Sequence, residues 1–190
     1  MLDELLQWDQ SLFVYLNSLG SPDYDLFWVT VTTILNWTPI FILFFIIILF
    51  KYPKKEAIAV LLTVLILTFF ITGFTDFIKE IVQRLRPNNN EEINHYIRIL
   101  KRPSSYSFFS GHSSSSFSIT TLLFLFLKNR FRWPWLFYLW PLLFAYSRIY
   151  VGVHYPLDIL VGSLVGILCA LLFFRAYIKI IAPYLKLSHP

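Results

Sequence analysis

Three short polar motifs stand at the ends of strongly apolar segments and contain the side chains best suited to chemistry. In chain order they are Lys79-x6-Arg86-Pro87, Ser110-Gly111-His112 and Ser147-Arg148-x5-His154-x3-Asp158. Ionisable groups are costly inside a lipid bilayer and tend to mark a function when they occur there. Together the motifs contain cations that can hold an anion, two histidines and a carboxylate. This set is suited to phosphoryl transfer without a metal ion.

The first motif offers two cations. Lys79 and Arg86 are seven residues apart, which corresponds to about two helical turns. We therefore predict that both project from one face of a membrane-spanning helix, and that Pro87 ends this helix because proline disfavours helical geometry in the residue before it. Converging cations form an anion site, and the planar fork of arginine fits phosphate oxygens. The alternative is that both are snorkelling side chains at a helix end.

The second motif opens the next apolar segment. Ser110 is predicted to be a helix N-cap, and the free amides at a helix start can bind an anion. Gly111 would let the backbone approach a ligand closely, and His112 would stand in the first turn, directed at that ligand. The serines of 113–116 are predicted to ease close packing of helices. A cap and an interfacial histidine without chemistry are the alternative.

The third motif is the most specific. Arg148 is predicted near the outer end of one span, and His154 follows a turn that contains Gly152. Pro156 favours the start of a helix, which places Asp158 in its first turn, four residues beyond His154. The carboxylate could then accept a hydrogen bond from one imidazole nitrogen and leave the other free as a nucleophile. Capping of the helix is an additional role open to the carboxylate.

Composition indicates an integral membrane protein. The 190 residues are 57% hydrophobic and 14% charged, whereas soluble domains are about 45–50% apolar and about 25% charged. We predict one domain, residues 1–190, with five membrane spans at 26–50, 57–78, 113–127, 133–153 and 159–174. Residues 1–18 have acidic and apolar residues at roughly helical spacing, which predicts an interfacial helix within 1–20. Asp3 and Glu4 argue against a signal peptide, and the single cysteine, Cys169, excludes an internal disulfide.

Charge is distributed unevenly over the predicted connections. Basic residues accumulate on the side opposite the motifs, namely Lys51, Lys54, Lys55, Lys128, Arg130, Arg132, Arg175, Lys179 and Lys186. Since short cytoplasmic loops are enriched in Lys and Arg, this side is predicted to be cytoplasmic, together with the C-terminus. The motifs would then face the periplasm or the exterior. The basic residues are interpreted as a topology signal, and we expect no nucleic-acid partner.

The order and spacing of the three motifs resemble those of the type 2 phosphatidic acid phosphatase superfamily, the membrane lipid phosphate phosphatases. The resemblance covers residues 79–158 and departs at Phe109, where the family usually has proline before the serine of the second motif. This departure is expected to alter the rigidity of the loop and to leave the chemistry largely intact. The resemblance implies an all-helical membrane fold, commonly with six spans.

The resemblance also implies a role for each motif residue. His154 would attack phosphorus and form a phosphohistidine, and Asp158 would orient its ring. His112 would protonate the leaving group and then activate water. The phosphate oxygens would be held by Lys79, Arg86, Ser110, Gly111 and Arg148. Because the cations would replace the metal ion that many phosphatases use, we expect no metal and no cofactor.

Among lipid phosphates, the sequence favours undecaprenyl diphosphate, because an outward site fits a carrier lipid that is recycled there. Phosphatidylglycerophosphate, phosphatidic acid and lipid A phosphates are alternatives, and Arg98, Lys101 and Arg102 of the polar loop 88–109 could contact the headgroup. A transporter would place its site near the midplane, and a non-catalytic lipid-binding protein is expected to lack His154 or Asp158. The vanadate-dependent haloperoxidases share this kind of pocket but are soluble. The partners implied are the lipid substrate and the bilayer, and the oligomeric state is left open.

Overall fold

The computed structural model describes residues 1–187. Within that range the chain consists of helices joined by irregular connections, and it contains no strands. The α-helices are α1 (Leu2–Ser18), α2 (Asp25–Val31), α3 (Thr38–Lys51), α4 (Lys54–Val82), α5 (Gly111–Leu127), α6 (Leu139–Tyr150), α7 (Pro156–Ala176) and α8 (Ala182–Tyr184). Short 3-10 segments precede α2, α3 and α6 and follow α4, and a π-helical segment, Tyr177–Ile181, joins α7 to α8.

Helices α5 and α7 pack closely at the centre of the bundle because small residues line both. A Cβ added to Gly162 would lie 2.7 Å from the carbonyl oxygen of Ser110, and one added to Gly166 would lie 2.3 Å from that of Ser114. Ser113, Ser114 and Ser116 are buried in this contact. Small residues allow helix backbones to approach within a membrane, and the packing role predicted for the serine run is confirmed.

Helix α4 directs one stripe of side chains into the bundle. Thr63, Leu67, Ile71, Thr75 and Lys79 are all buried and follow one another at intervals of four residues, as one face of a helix requires. Thr75 Oγ1 lies 3.0 Å from Ser114 Oγ on α5. The same stripe therefore packs α4 against α5 and places the ammonium group of Lys79 at the end of the bundle.

Three helical segments in the described chain are long and apolar enough to cross a bilayer: Ile34–Lys51, Lys54–Asn89 and Pro156–Tyr184. Large apolar side chains are exposed on their outer faces, among them Leu62, Phe69 and Leu168. Such contiguous apolar surface indicates contact with lipid. The chain is thus a membrane protein.

The prediction of one helix over 26–50 is wrong. Helix α2 ends at Val31, and helical structure resumes at Ile34. The side chain of Asn36 donates a hydrogen bond to the carbonyl of Thr30, and the indole of Trp37 donates one to the carbonyl of Val31. These donors satisfy carbonyls at the end of α2, so the chain can turn there despite its apolar character.

A single helix over 133–153 is also not observed. The segment forms a 3-10 turn, Pro134–Tyr138, followed by the 12 residues of α6. Pro134 opens the turn, and Pro141 within α6 has no amide hydrogen to donate to the preceding turn. Helix α5, with 17 residues, is at the lower limit of length for a spanning helix.

The predicted end of α4 is wrong as well. The helix ends at Val82, and Gln83 adopts the left-handed conformation, with φ of 50° and its amide bonded to the carbonyl of Lys79. Such a residue is a common helix terminator. Arg86 therefore lies in extended chain rather than on the helical face of Lys79, and Pro87 opens a 3-10 turn instead of ending α4.

Candidate active site

The three motifs lie together at one end of the bundle, where four helices begin or end. Lys79 lies in the last turn of α4, His112 in the first turn of α5, Arg148 in the last turn of α6, and Asp158 in the first turn of α7. Arg86 and His154 come from the connections after α4 and α6. A Cβ on Gly111 would lie 3.8 Å from Lys79 Nζ. The electrostatic neighbours of His112 are Arg148, His154, Lys79 and Arg86.

His154 reaches the site through a turn that requires glycine. Gly152 has φ of 81°, a conformation that other residues rarely adopt. A Cβ there would lie 2.3 Å from the carbonyl oxygen of Arg98. Pro156 then occupies the first turn of α7, as predicted.

The two ring nitrogens of His154 have different partners. Nε2 lies 2.9 Å from Arg86 Nη1, and Nδ1 lies 3.4 Å from Asp158 Oδ2. Because a guanidinium can only donate, Nε2 must accept and carry the lone pair, which leaves the proton on Nδ1 facing the carboxylate. Burial of the ring, together with Arg86, Arg148 and Lys79, holds the pKa of His154 well below its ordinary value. The predicted proximity of His154 and Asp158 is confirmed, and the imidazole is neutral.

The carboxylate of Asp158 is held by more groups than the sequence suggested. Oδ1 accepts a hydrogen bond from Arg84 Nη1 at 2.8 Å. Oδ2 accepts from the amide of Tyr155 at 2.9 Å and from the hydroxyl of Ser107. Arg84 and Ser107 were not predicted. Arg84 falls among the unspecified positions of the first motif, and Ser107 belongs to the loop before the second.

Three buried cations are electrostatic neighbours of His154, and one of them, Arg86, bonds to Nε2. Lys79, Arg86 and Arg148 are at most 9% exposed, and none forms a salt bridge with a carboxylate in the described part of the chain. Arg148 Nη1 bonds to Thr32 Oγ1, and its Nε has no hydrogen-bond partner within residues 1–187. Burying uncompensated positive charge is costly. The arrangement therefore fits a site that takes an anion.

The second motif is built as predicted at its start. Ser110 Oγ accepts a hydrogen bond from the amide of Ser113 at 3.3 Å, so Ser110 is the N-cap of α5. The ring of His112 packs against Phe144 with centroids 4.9 Å apart. A contact of Ser110 or of the Gly111 amide with phosphate stays a prediction.

The loop 88–109 contributes to the site through two serines. Besides the bond from Ser107 to Asp158, Arg86 donates to the carbonyl oxygen of Ser105 at 2.6 Å and to its hydroxyl at 3.0 Å. Arg98, which was expected to be available to a headgroup, forms a salt bridge with Asp25 instead. Its amide donates to the side chain of Asn17 at 2.7 Å. Arg98 therefore anchors the loop to the N-terminal part of the chain.

The donor set around the site does not resemble a metal centre. Over residues 1–187, no group of three or more His, Cys, Asp or Glu side chains is placed to hold a metal ion. Apart from Asp158, which faces Nδ1, the charged neighbours of His154 are guanidinium and ammonium ions, which would repel a metal cation and attract a phosphate.

Comparison with known proteins agrees with this geometry. A model of the PAP2 superfamily matches residues 57–182. The chain is 29% identical over its whole length to a lipid A 4'-phosphatase of Porphyromonas gingivalis, of which it covers 81%. It is 30% identical over 82% of its length to an undecaprenyl-diphosphatase of Sulfolobus acidocaldarius, of which it covers 64%.

A solved structure shares the fold. The crystal structure of a PAP2-type transmembrane phosphatidylglycerolphosphate phosphatase from Bacillus subtilis aligns with a TM-score of 0.74 and 21% identity. The alignment covers 93% of this chain and 88% of that one. On the family match, and on the three motifs that converge around His154, the chain belongs to the PAP2 superfamily of membrane lipid phosphatases.

Proposed function

We propose that the protein hydrolyses a membrane lipid phosphate, without a metal ion, through a phosphohistidine on His154. The observation that carries this proposal is the direction of the His154 lone pair. Nε2 points to Arg86, which is one of three buried cations that form no salt bridge with a carboxylate in the described chain. A phosphate that neutralises these cations would have its phosphorus beside the lone pair.

The first step forms the bond between Nε2 and phosphorus and breaks the bond from phosphorus to the lipid oxygen. His112 is protonated in the substrate complex, where the phosphate offsets the charge of the cations around the ring, and it gives this proton to the lipid oxygen. The positive charge that develops on the His154 ring is stabilised by Asp158, which faces Nδ1. Lys79, Arg86 and Arg148 stabilise the charge on the phosphoryl oxygens. For this step Arg86 must exchange its hydrogen bond with Nε2 for one with a phosphate oxygen.

The second step returns the protein to its starting state. His112, now neutral, takes a proton from water, and the water oxygen bonds to phosphorus as the bond between phosphorus and Nε2 breaks. His112 is again protonated and His154 again neutral in the product complex, and His112 releases its proton to solvent as inorganic phosphate leaves. The two steps therefore need no proton donor or acceptor other than these side chains and water.

Among lipid phosphates, a phosphate monoester on a lipid A-type headgroup is the substrate we favour. The relative from Porphyromonas gingivalis carries that name and aligns with the whole chain. In addition, the buried cations suffice for one phosphate only. Arg84 is paired with Asp9 and Asp158, and Arg98 is paired with Asp25.

A polyprenyl diphosphate, which the sequence analysis favoured, is the second candidate. The similarity to the undecaprenyl-diphosphatase of Sulfolobus acidocaldarius supports it. Lys101 and Arg102 are exposed on the polar loop and are the basic residues still available to a second phosphate. The exposed position of both makes this contact weaker than that of a buried cation.

The orientation in the membrane is part of the same proposal. Five segments would cross the bilayer of the cell membrane, with α1 in the outer interface, the site at its outer surface and the C-terminus in the cytoplasm. The distribution of Lys and Arg over the loops supports this orientation.

The test is release of inorganic phosphate in detergent with EDTA present, from lipid A, undecaprenyl diphosphate, phosphatidylglycerophosphate and phosphatidic acid at equal surface concentration. We expect turnover that added magnesium does not increase, highest kcat/KM for lipid A, and inhibition by vanadate. Activity that is lost in EDTA and restored by magnesium would contradict the mechanism. A kcat/KM for another lipid about tenfold higher, which corresponds to about 1.4 kcal/mol, would contradict the substrate alone.

A further inference from the structure

Arg84 connects the carboxylate of Asp158 to a second buried carboxylate on α1. Its Nη1 lies 2.8 Å from Asp158 Oδ1, and its Nη2 lies 2.6 Å from Asp9 Oδ2. The guanidinium stacks on the ring of Tyr155, 4.0 Å from the ring centroid. The forked shape of arginine is what allows one side chain to serve both carboxylates at once.

Asp9 is an unusual residue for a surface helix because its side chain is completely buried. Its second oxygen, Oδ1, accepts a hydrogen bond from the amide of Leu157 at 2.8 Å. This amide belongs to the first turn of α7, next to Asp158. Asp9 therefore bonds both to the partner of Asp158 and to the backbone beside it.

The packing of α1 against the rest of the chain does not depend on Asp9 alone. Asn17, two turns further along α1, donates hydrogen bonds to the carbonyl oxygens of Ile149 and Tyr150 and accepts one from the amide of Arg98. Phe13 is buried against Tyr155. A buried carboxylate is costly, and a helix that is already held by Asn17 and Phe13 has no need of one for docking.

The negative charge of Asp9 explains why a carboxylate is buried at this position. Arg84 and Asp158 alone would form a neutral pair. The positive guanidinium would then offset the negative potential with which Asp158 must stabilise a positive imidazole. With Asp9 the cluster has two carboxylates and one guanidinium, so its net charge is −1. Arg84 then fixes Oδ1 of Asp158 and leaves Oδ2 directed at His154.

We propose that Arg84 and Asp9 are positioning residues for the phosphoryl transfer step, and that the N-terminal helix is in this way part of the active site although it lies outside residues 57–182. The inference rests on the proposed function. Arg84 holds Asp158 in the orientation that His154 requires, and Asp9 offsets the charge of Arg84. Both residues act on the reaction through Asp158.

The test measures kcat and KM in detergent for Asp9→Asn, Arg84→Gln and the double variant, with the lipid phosphate that the wild type hydrolyses fastest. Asparagine keeps the shape of Asp9 and its acceptor for the Leu157 amide. We expect kcat to fall about three- to tenfold in Asp9→Asn and about a hundredfold in Arg84→Gln, with KM changed less than about twofold. Asp3→Asn removes the same charge from an exposed position of α1 and should leave kcat unchanged.

The double variant gives the decisive result. Without Arg84, Asp9 is an uncompensated negative charge near Asp158, and it favours the protonated form of that carboxyl. Asp9→Asn should therefore raise kcat at least about threefold in the Arg84→Gln background, although it lowers kcat in the wild type. If Asp9 only holds α1, its substitution should lower kcat in both backgrounds.

Loss of folding is separated from loss of positioning by a conservative variant. Arg84→Lys keeps the charge but lacks the fork, so its kcat should lie between those of the wild type and Arg84→Gln, and it replaces Arg84→Gln if the latter does not purify. In that background Asp9→Asn should not raise kcat. An active wild type with unchanged kcat in Arg84→Lys and Asp9→Asn overturns this inference alone. A wild type inactive on every lipid phosphate overturns the proposed function as well.

Discussion

Arg86 and His154 are joined by a hydrogen bond of 2.9 Å between Nη1 and Nε2. Because the guanidinium can only donate, this contact identifies the nitrogen that carries the lone pair and directs it to the cationic side of the site. Asp158 faces the other nitrogen of the ring. The two contacts together place a neutral imidazole in the tautomer that a nucleophile needs.

The roles of the two histidines predict different responses to the leaving group. His154→Ala should lose at least about 10³-fold in kcat on every substrate, because no nucleophile remains. His112→Ala should slow phosphoenzyme formation about 10²–10⁴-fold on a lipid phosphate, and much less on an aryl phosphate whose leaving group needs no proton. The measurement is the single-turnover rate of phosphoenzyme formation on both substrates for both variants, because steady-state kcat also contains the water step that His112 assists. Equal slowing of phosphoenzyme formation by His112→Ala on the two substrates would contradict its role as the acid.

Asp158→Asn should reduce kcat by about a hundredfold and leave KM nearly unchanged. The amide can still fill the space and accept from Arg84, but it cannot stabilise a positive ring on His154 as a carboxylate does. Steady-state kinetics with the preferred lipid measures the effect. Activity close to that of the wild type would show that Asp158 serves only to cap α7, through its bond with the amide of Tyr155.

The lowered pKa of His154 predicts a pH dependence of stability. Its folded pKa lies below its unfolded value of about 6.5. Above that pH the ring is neutral in both states and costs nothing. Below it the unfolded chain takes up a proton that the folded protein does not, so stability falls as pH falls, by up to about 1.4 kcal/mol per pH unit.

Thermal unfolding in detergent between pH 7 and pH 5 tests this dependence. The fall in Tm toward pH 5 should be smaller in His154→Gln than in the wild type. His95→Gln, which removes an exposed histidine, should behave as the wild type does. Identical slopes for all three proteins would contradict a neutral, buried His154.

The proposed orientation predicts which residues an impermeant reagent reaches. In a Cys169→Ala background, a cysteine at residue 95 should be labelled by a membrane-impermeant maleimide in intact cells, and one at residue 129 only after permeabilisation. Both positions are exposed at the protein surface, so access to each depends on the membrane. The reverse pattern would place the site on the cytoplasmic face.

Local spacing predicted the parts of the site that are close in sequence. The cap at Ser110, the helix start at Pro156 and the contact between His154 and Asp158 all span four residues or fewer, and all are observed. Convergence of the motifs also followed, since the order of motifs and spans sets which helix ends meet.

Contacts between distant segments could not be predicted in this way. Arg84 meets Asp9 across 75 positions, and Ser107 meets Asp158 across 51. Hydropathy also does not show where a helix ends. Gln83 ends α4 through a left-handed conformation, and the side chains of Asn36 and Trp37 stabilise the break after α2, although the surrounding residues are apolar.

The phosphoenzyme itself tests the central claim most directly. The protein is mixed with a lipid labelled with radioactive phosphate in EDTA, quenched with alkali within milliseconds, and digested for mass spectrometry. We predict an alkali-stable, acid-labile phosphate on His154 in the wild type, and none in His154→Ala. Phosphate on His112 or on a serine, or turnover of His154→Ala at the rate of the wild type, would contradict the mechanism.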